Sequence, residues 1–219
     1  MTTEASTPKL RKGERTALKI LEVAERLFAE RGYNGTSLRE IADQVGIKEP
    51  GLYKYFTSKD ALYEAVLESA LRPMSDAMNK VLERVDNQQE LLLSTPSIMM
   101  DLLAEHPYIP TLFQRALLAD DDSNATQVMT KWLDELFRKG AALWEHQGHT
   151  EMNTPDGVAM LMMFFNLTTG YFSSRNWFAR LGGGDVLDSE NLEKQKELLN
   201  IVMAALISRH SKAPVKSLI

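Results

Sequence analysis

The chain has 219 residues, no cysteine and 44% hydrophobic residues. That length holds one large domain or two small ones around a buried core, and the composition excludes wholesale disorder, a disulfide scaffold and thiolate chemistry. The net charge of −5 is uneven: residues 1–60 hold 11 Lys+Arg against 9 Asp+Glu (+2), and the remainder 14 against 21 (−7), a mildly basic first quarter ahead of an acidic remainder.

The first ten residues are polar, contain Pro8 and carry no apolar stretch of the kind a secretory signal needs, so a flexible arm is expected over 1–14. From Arg15 to Arg31, Leu18, Leu21, Ala24 and Phe28 recur at three- and four-residue steps and predict an amphipathic helix, closed by Gly32. Ser37-Leu38-Arg39-Glu40 has the form of a capping box and opens a second helix through Ile41 and Val45, ended by Gly46. A third, short helix must then begin within a few residues and carry Leu52 and Phe56 to the same core. Pro50 falls in its first turn, where the missing N–H costs nothing, and Gly51 permits close approach to a flat surface. Thr57 and Asp60 form another capping signature, and a fourth helix is expected through Leu62, Val66 and Leu71, stopping near Pro73.

Two short helices joined by a tight Gly-containing turn are the helix-turn-helix pattern. Tyr53, Lys54 and Tyr55 lie near the face that Leu52 and Phe56 do not need, and such a surface suits a major groove and its phosphates. Lys59 stands at a helix N-terminus, where the dipole disfavours a cation, and an anionic partner such as a phosphate would account for it.

At this point "TSLREIADQVGIKEPGLYKYFTSKDAL" resembles the DNA-binding segment of the tetracycline-repressor (TetR) family of bacterial transcriptional regulators, over about Thr16 to Leu67. The resemblance implies an all-α fold: a three-helix helix-turn-helix domain, here 15–60, and a helical ligand-binding and dimerisation domain, 61–219. It also implies that Ser37, Arg39 and Lys48, Glu49, Pro50, Gly51, Tyr53, Lys54 and Tyr55 face DNA, with Thr36, Tyr53 and Lys59 on phosphates. Glu49 is unusual there; it could accept from a cytosine amino group or cap the helix.

Beyond Pro73 the pattern stays helical. "DLLAEHPYIPTLFQRALLADDD" reads as two short pieces interrupted at His106-Pro107 and Pro110. Thr126 to Trp144 predicts a helix with Val128, Trp132, Leu136 and Leu143 on one side. Thr154-Pro155-Asp156 opens another, apolar nearly all round, whose run Val158–Phe165 is far short of the roughly 18 residues a membrane span needs. A cytoplasmic protein is therefore expected. Gly182-Gly183-Gly184 breaks the chain before a last helix carrying Leu192, Leu199, Val202 and Leu206, widened by Ile201 and Ala205. Under the resemblance these last two helices meet their two-fold mates in a four-helix bundle.

Met99, Met100, Phe113, Trp132, Phe137, Trp144, Met163, Phe164 and Tyr171 form an aromatic and methionine-rich set, and the family reading makes a subset of them the lining of an effector pocket for a small hydrophobic molecule. No cofactor, resident metal or enzymatic activity is expected. One alternative is a metal-dependent enzyme at His146 and His149, three residues apart, in a segment that otherwise reads as a frayed helix end. Another is a C-terminal domain that docks a protein rather than a metabolite. The expected function is a homodimeric repressor on a near-palindromic operator, with Lys9, Arg11, Lys12 and Arg15 of the arm adding phosphate contacts.

Overall fold

The computed structural model describes residues 11–83, 88–118, 123–145 and 154–210. Among them are ten helices and no strand: α1 (Lys12–Arg31), α2 (Leu38–Val45), α3 (Glu49–Leu52), α4 (Lys59–Glu83), α5 (Gln88–Glu105), α6 (Ile109–Leu118), α7 (Asn124–Glu145), α8 (Pro155–Ser173), α9 (Arg175–Arg180) and α10 (Ser189–His210). The chain divides into units 1–66 and 67–219, with the boundary inside α4.

In the first unit the buried stripe of α1 is Ile20, Val23, Ala24, Leu27 and Phe28, packed on α2. Leu18 was expected in it but is 51% exposed; two residues before Ile20, it lies on the opposite side of the helix. Gly32, at φ 77, ends α1 and donates its N–H to the Phe28 carbonyl at 2.8 Å. The Ser37 hydroxyl caps α2, accepting from the Glu40 N–H at 3.2 Å, while the Glu40 carboxylate pairs with Arg31. Gly46 ends α2 in the left-handed region, φ 85, which favours glycine. Lys19 Nζ donates to the Val45 carbonyl at 3.0 Å, a cation at the negative end of that helix.

Lys48 is extended ahead of α3, Pro50 sits in its first turn and Leu52 is fully buried. The N–H groups of Tyr55 and Phe56 both donate to the Leu52 carbonyl, at 2.9 and 3.1 Å. This extra turn leaves Tyr53, Lys54 and Tyr55 outside. The cap of α4 is Ser58, whose Oγ accepts from Ala61 N–H at 3.0 Å, and not Thr57.

In the second unit α4 runs past Pro73 to Glu83. An interior proline costs about 3 kcal/mol, but Leu71, Met74 and Met78 around it are buried, and burying each such side chain contributes about 1.5–3 kcal/mol. Packing outweighs the missing hydrogen bond, and the exposed ring of Pro73 faces outward. For the same reason α5 continues through Pro96. Pro110 lies in the first turn of α6, where it starts a helix rather than interrupting one. α7 buries Ala125, Met129, Leu133 and the expected Leu143, while the expected Val128 and Trp132, one residue away from Met129 and Leu133, are half-buried.

Thr154 caps α8 as expected, accepting from Gly157 N–H at 3.2 Å. The helix buries Met160, Thr169 and Phe172 but leaves Val158 and Leu167 exposed, so it is not enclosed on all sides. The short α9 had no signal in the periodicity. Beyond the glycines, α10 packs on α5 through buried Leu199 and Met203, and Lys196 bridges Asp101 and Glu193. Ile201 and Ala205, expected to widen the buried stripe, are exposed.

Candidate nucleic-acid interface and effector cavity

The helix-turn-helix unit presents Ser37 and Arg39 from the start of α2, Lys48 ahead of α3, Pro50 within it, and Tyr53, Lys54 and Tyr55 after it, all exposed; Glu49 and Gly51 are half-buried. Arg26 pairs with Glu30 and Arg31 with Glu40. Among the described residues, no such ion pair engages Arg39, Lys48 or Lys54. Gly51 needs no special backbone angle, and a Cβ built there meets nothing within 4 Å, so its protein side is open. Arg11, Lys12 and Arg15 are exposed; Lys9 lies outside the described residues.

Thr36 does not belong to this surface. It is 2% exposed, and its hydroxyl lies 2.9 and 3.1 Å from the carbonyls of Gly32 and Leu27, tying the turn to α1. A side chain so enclosed has no reach to a phosphate.

The first turn of α4 is held by groups that have no local sequence signal. Tyr33 OH donates to Asp60 Oδ1 at 2.6 Å, and the rings of Phe28, Tyr33 and Tyr63 form a cluster with centroids 5.1–5.9 Å apart. Lys59 Nζ lies 4.3 Å from the centre of the Tyr33 ring. The ring face and the neighbouring carboxylate thus give that cation partners within the domain, besides the phosphate its position suggested. Burial lowers the Lys59 ammonium from its ordinary range, against the opposing pull of Asp60. Burial, reinforced by the hydrogen bond to Asp60, raises the Tyr33 phenol, and burial alone pushes Tyr63 up to about 12. The two phenols therefore stay protonated at neutral pH.

The second unit contains a cavity of about 150 Å³ lined from α4, α5, α6, α7 and α8, with Met203 of α10 also in its wall. Of the nine residues expected to line an effector pocket, Met99, Phe113, Phe137 and Phe164 border this cavity. Met100 is fully buried away from the wall, Trp132 is half-buried elsewhere, and Met163 packs behind Met160 and Met203. Tyr171 turns from the cavity: its hydroxyl donates to the Val186 carbonyl at 2.8 Å and its ring meets Phe172 and Phe178. The Trp144 side chain lies outside the described residues. Lining residues that the sequence did not suggest include Met74 and Met78, which lie beyond the proline expected to end α4.

Beside the cavity, Lys139 of α7 reaches the Ser75 hydroxyl and carbonyl on α4 and pairs with Glu135 at 2.8 Å, while Ser75 Oγ donates to Glu135 at 2.6 Å. The Lys139 and Ser75 hydrogen bonds hold the Glu135 carboxyl below its ordinary range. His146 and His149 lie outside the described residues; among the described ones no cluster of metal-binding side chains occurs, and no helix is long and apolar enough to cross a membrane.

Residues 20–66 match the family model described as bacterial regulatory proteins, tetR family. The chain is 29% identical, over 91% of its length and 94% of the relative's, to the HTH-type transcriptional repressor KstR2 of Rhodococcus jostii (strain RHA1). Its fold is similar to that of the ketosteroid transcriptional regulator KstR2 of Mycobacterium tuberculosis, at 19% identity and a TM-score of 0.65 over 90% of this chain and 96% of that one. It is similar too to FadR of Bacillus subtilis, a transcriptional regulator solved in complex with stearoyl-CoA, at 18% identity and a TM-score of 0.58 over 83% and 96% of the two chains. A helix-turn-helix unit bearing cations outside ion pairs, ahead of a helical unit with an apolar cavity, thus coincides with a match over residues 20–66 to the tetR family of bacterial regulatory proteins and with a likeness along most of the chain to an HTH-type transcriptional repressor.

Proposed function

We propose that the protein is a homodimeric one-component repressor that binds a near-palindromic operator and leaves it when a small hydrophobic effector fills the cavity. The observation that carries this reading is the surface formed by Arg39, Lys48 and Lys54 with Tyr53 and Tyr55, cationic and free of ion pairs in a chain of net charge −5. Local positive charge supplies attraction to phosphates, and Arg39 at the start of α2 and the side chains around α3 supply contacts to base edges. Lys59 shares its charge between Tyr33 and a phosphate, and Arg11, Lys12 and Arg15 add contacts outside the groove.

A second copy supplies the second reading head. Leu198, Ile201 and Ala205 lie at three- and four-residue steps along one exposed face of α10. On α8, Ala159, Leu167 and Gly170 fall on one face, where a Cβ added to Gly170 meets nothing within 4 Å. Small and apolar residues left open on adjoining helices suit a four-helix interface with the mate.

The cavity favours a metabolite over a docked protein, because its apolar wall is concave rather than spread flat over the surface. FadR of Bacillus subtilis was solved with stearoyl-CoA, and a hydrocarbon ligand is compatible with the wall seen here. α4 carries Lys59 in its first turn and Met74 and Met78 in the cavity wall, so a ligand that favours another position of α4 would change the DNA-binding population by its differential affinity for the two states. Titrating the protein into a labelled operator duplex under tight-binding conditions tests the assembly. Saturation at two chains per duplex is expected, and saturation at one chain would refute the dimeric reading.

A further inference from the structure

The chemistry of the cavity wall narrows the ligand further. No charged side chain lines it. Its hydroxyls are those of Thr95, Thr168 and Thr169, and the two on α8 have already given their hydrogens to the same helix. Thr168 Oγ1 donates to the Phe164 carbonyl at 2.9 Å and Thr169 Oγ1 to the Phe165 carbonyl at 2.6 Å. A hydroxyl has one hydrogen to give and two lone pairs to accept with. Once the hydrogen is spent on a helix carbonyl, the oxygen can serve a ligand only as an acceptor. Thr95 also has a partner.

An ionised ligand group would lose its hydration in this wall and gain neither a counter-charge nor, from α8, a donor. A ketone, aldehyde or ester would set its acceptor oxygen against acceptor oxygens. An alcohol or phenol would give its hydrogen to Thr168 or Thr169. We infer that the cavity selects an uncharged, largely hydrocarbon ligand whose polar group facing α8 is a hydrogen-bond donor. This rests on the reading of the cavity as the effector site, and it goes beyond that reading by assigning Thr168 and Thr169 as the residues that choose between oxidation states of one carbon skeleton.

The volume, about 150 Å³, resembles that of apolar cavities that take a benzene-sized guest, so one-ring probes suffice. Dissociation constants for benzyl alcohol, benzaldehyde and benzoate are measured calorimetrically on the full chain, with release of operator DNA followed in parallel. Benzyl alcohol is expected to bind about three- to tenfold more tightly than benzaldehyde, the range of one net hydrogen bond, and benzoate not detectably. In the Thr168→Val/Thr169→Val double variant the preference for the alcohol should vanish while benzaldehyde binding holds or improves.

Benzaldehyde binding as well as the alcohol in the wild type, benzoate binding as well as the alcohol, or no probe binding at all would overturn the inference. The effector reading fails separately. Alcohol binding of the expected order with no release of DNA would uphold the ligand class and reject the cavity as the effector site. Benzoate binding that does release DNA would do the reverse.

Discussion

Under the proposed function, Lys59 and Arg39 divide the work of DNA recognition. Lys59 sits at the N-terminus of α4, 4.3 Å from the centre of the Tyr33 ring, and its proposed partner is a phosphate rather than a base. Arg39 is exposed at the start of α2 with no ion pair among the described residues. Lys59→Ala should weaken binding to every duplex alike and lower the slope of log affinity against log salt by about 1. Arg39→Ala should cost about 1–3 kcal/mol on the specific site and little on random DNA. Fluorescence anisotropy on both duplexes over a salt series separates the two, and identical losses on both duplexes for Arg39→Ala would remove it from base readout. At this scale the sequence displays residue types and their order, which is why the exposure of Arg39, Lys48, Lys54, Tyr53 and Tyr55 was legible. It does not display where a hydroxyl points. Thr36 looked available and is enclosed, and the Tyr33–Asp60 hydrogen bond joins residues 27 apart, with no local pattern to announce it.

Helices were legible where a cap or a breaker acts alone, and misread where tertiary packing overrides it. Ser37, Gly46 and Thr154 act at helix ends, and α2 and α8 begin or stop where they indicate. Pro73 acts mid-helix against three buried neighbours and loses, so Met74 and Met78 reach the cavity on a helix expected to have ended. Ala24, Phe28 and Leu143 are buried as expected, but Leu18, Val128 and Trp132 were misplaced because several apolar residues competed for the face and only packing against neighbouring helices chose between them. If α4 is a continuous helix through this point, Pro73→Ala restores one backbone hydrogen bond at an exposed site. The variant should then be more stable by about 1–3 kcal/mol in denaturant melts. A destabilised Pro73→Ala would mean that the chain needs the break. Pocket residues were the least legible element: Met99, Phe113, Phe137 and Phe164 line the cavity while Met100, Trp132, Met163 and Tyr171 do not, because amphipathic spacing marks buried positions and says nothing about which of them border a void.

As a whole the molecule joins a weakly basic reading unit to an acidic remainder, with a net charge of −5. A single head of this kind has little affinity to spare, and two linked heads gain from effective concentration what neither has alone. The exposed apolar face of α10 is where that link is proposed. Ile201, 58% exposed, makes no use of its burial energy within one chain, so Ile201→Glu should leave folding intact, convert the dimer to monomer in sedimentation and lower operator affinity at least about 100-fold. A variant that stays dimeric would place the interface elsewhere.

The measurement that bears most directly on the whole account is selection of bound duplexes from a random-sequence pool by the full-length protein, run at two salt concentrations. The account predicts enrichment of one two-fold symmetric sequence that survives the higher salt, and loss of that enrichment in Arg39→Ala. An unenriched pool, held at low salt and released at high salt by wild type and variant alike, would contradict sequence-specific reading by α2 and α3.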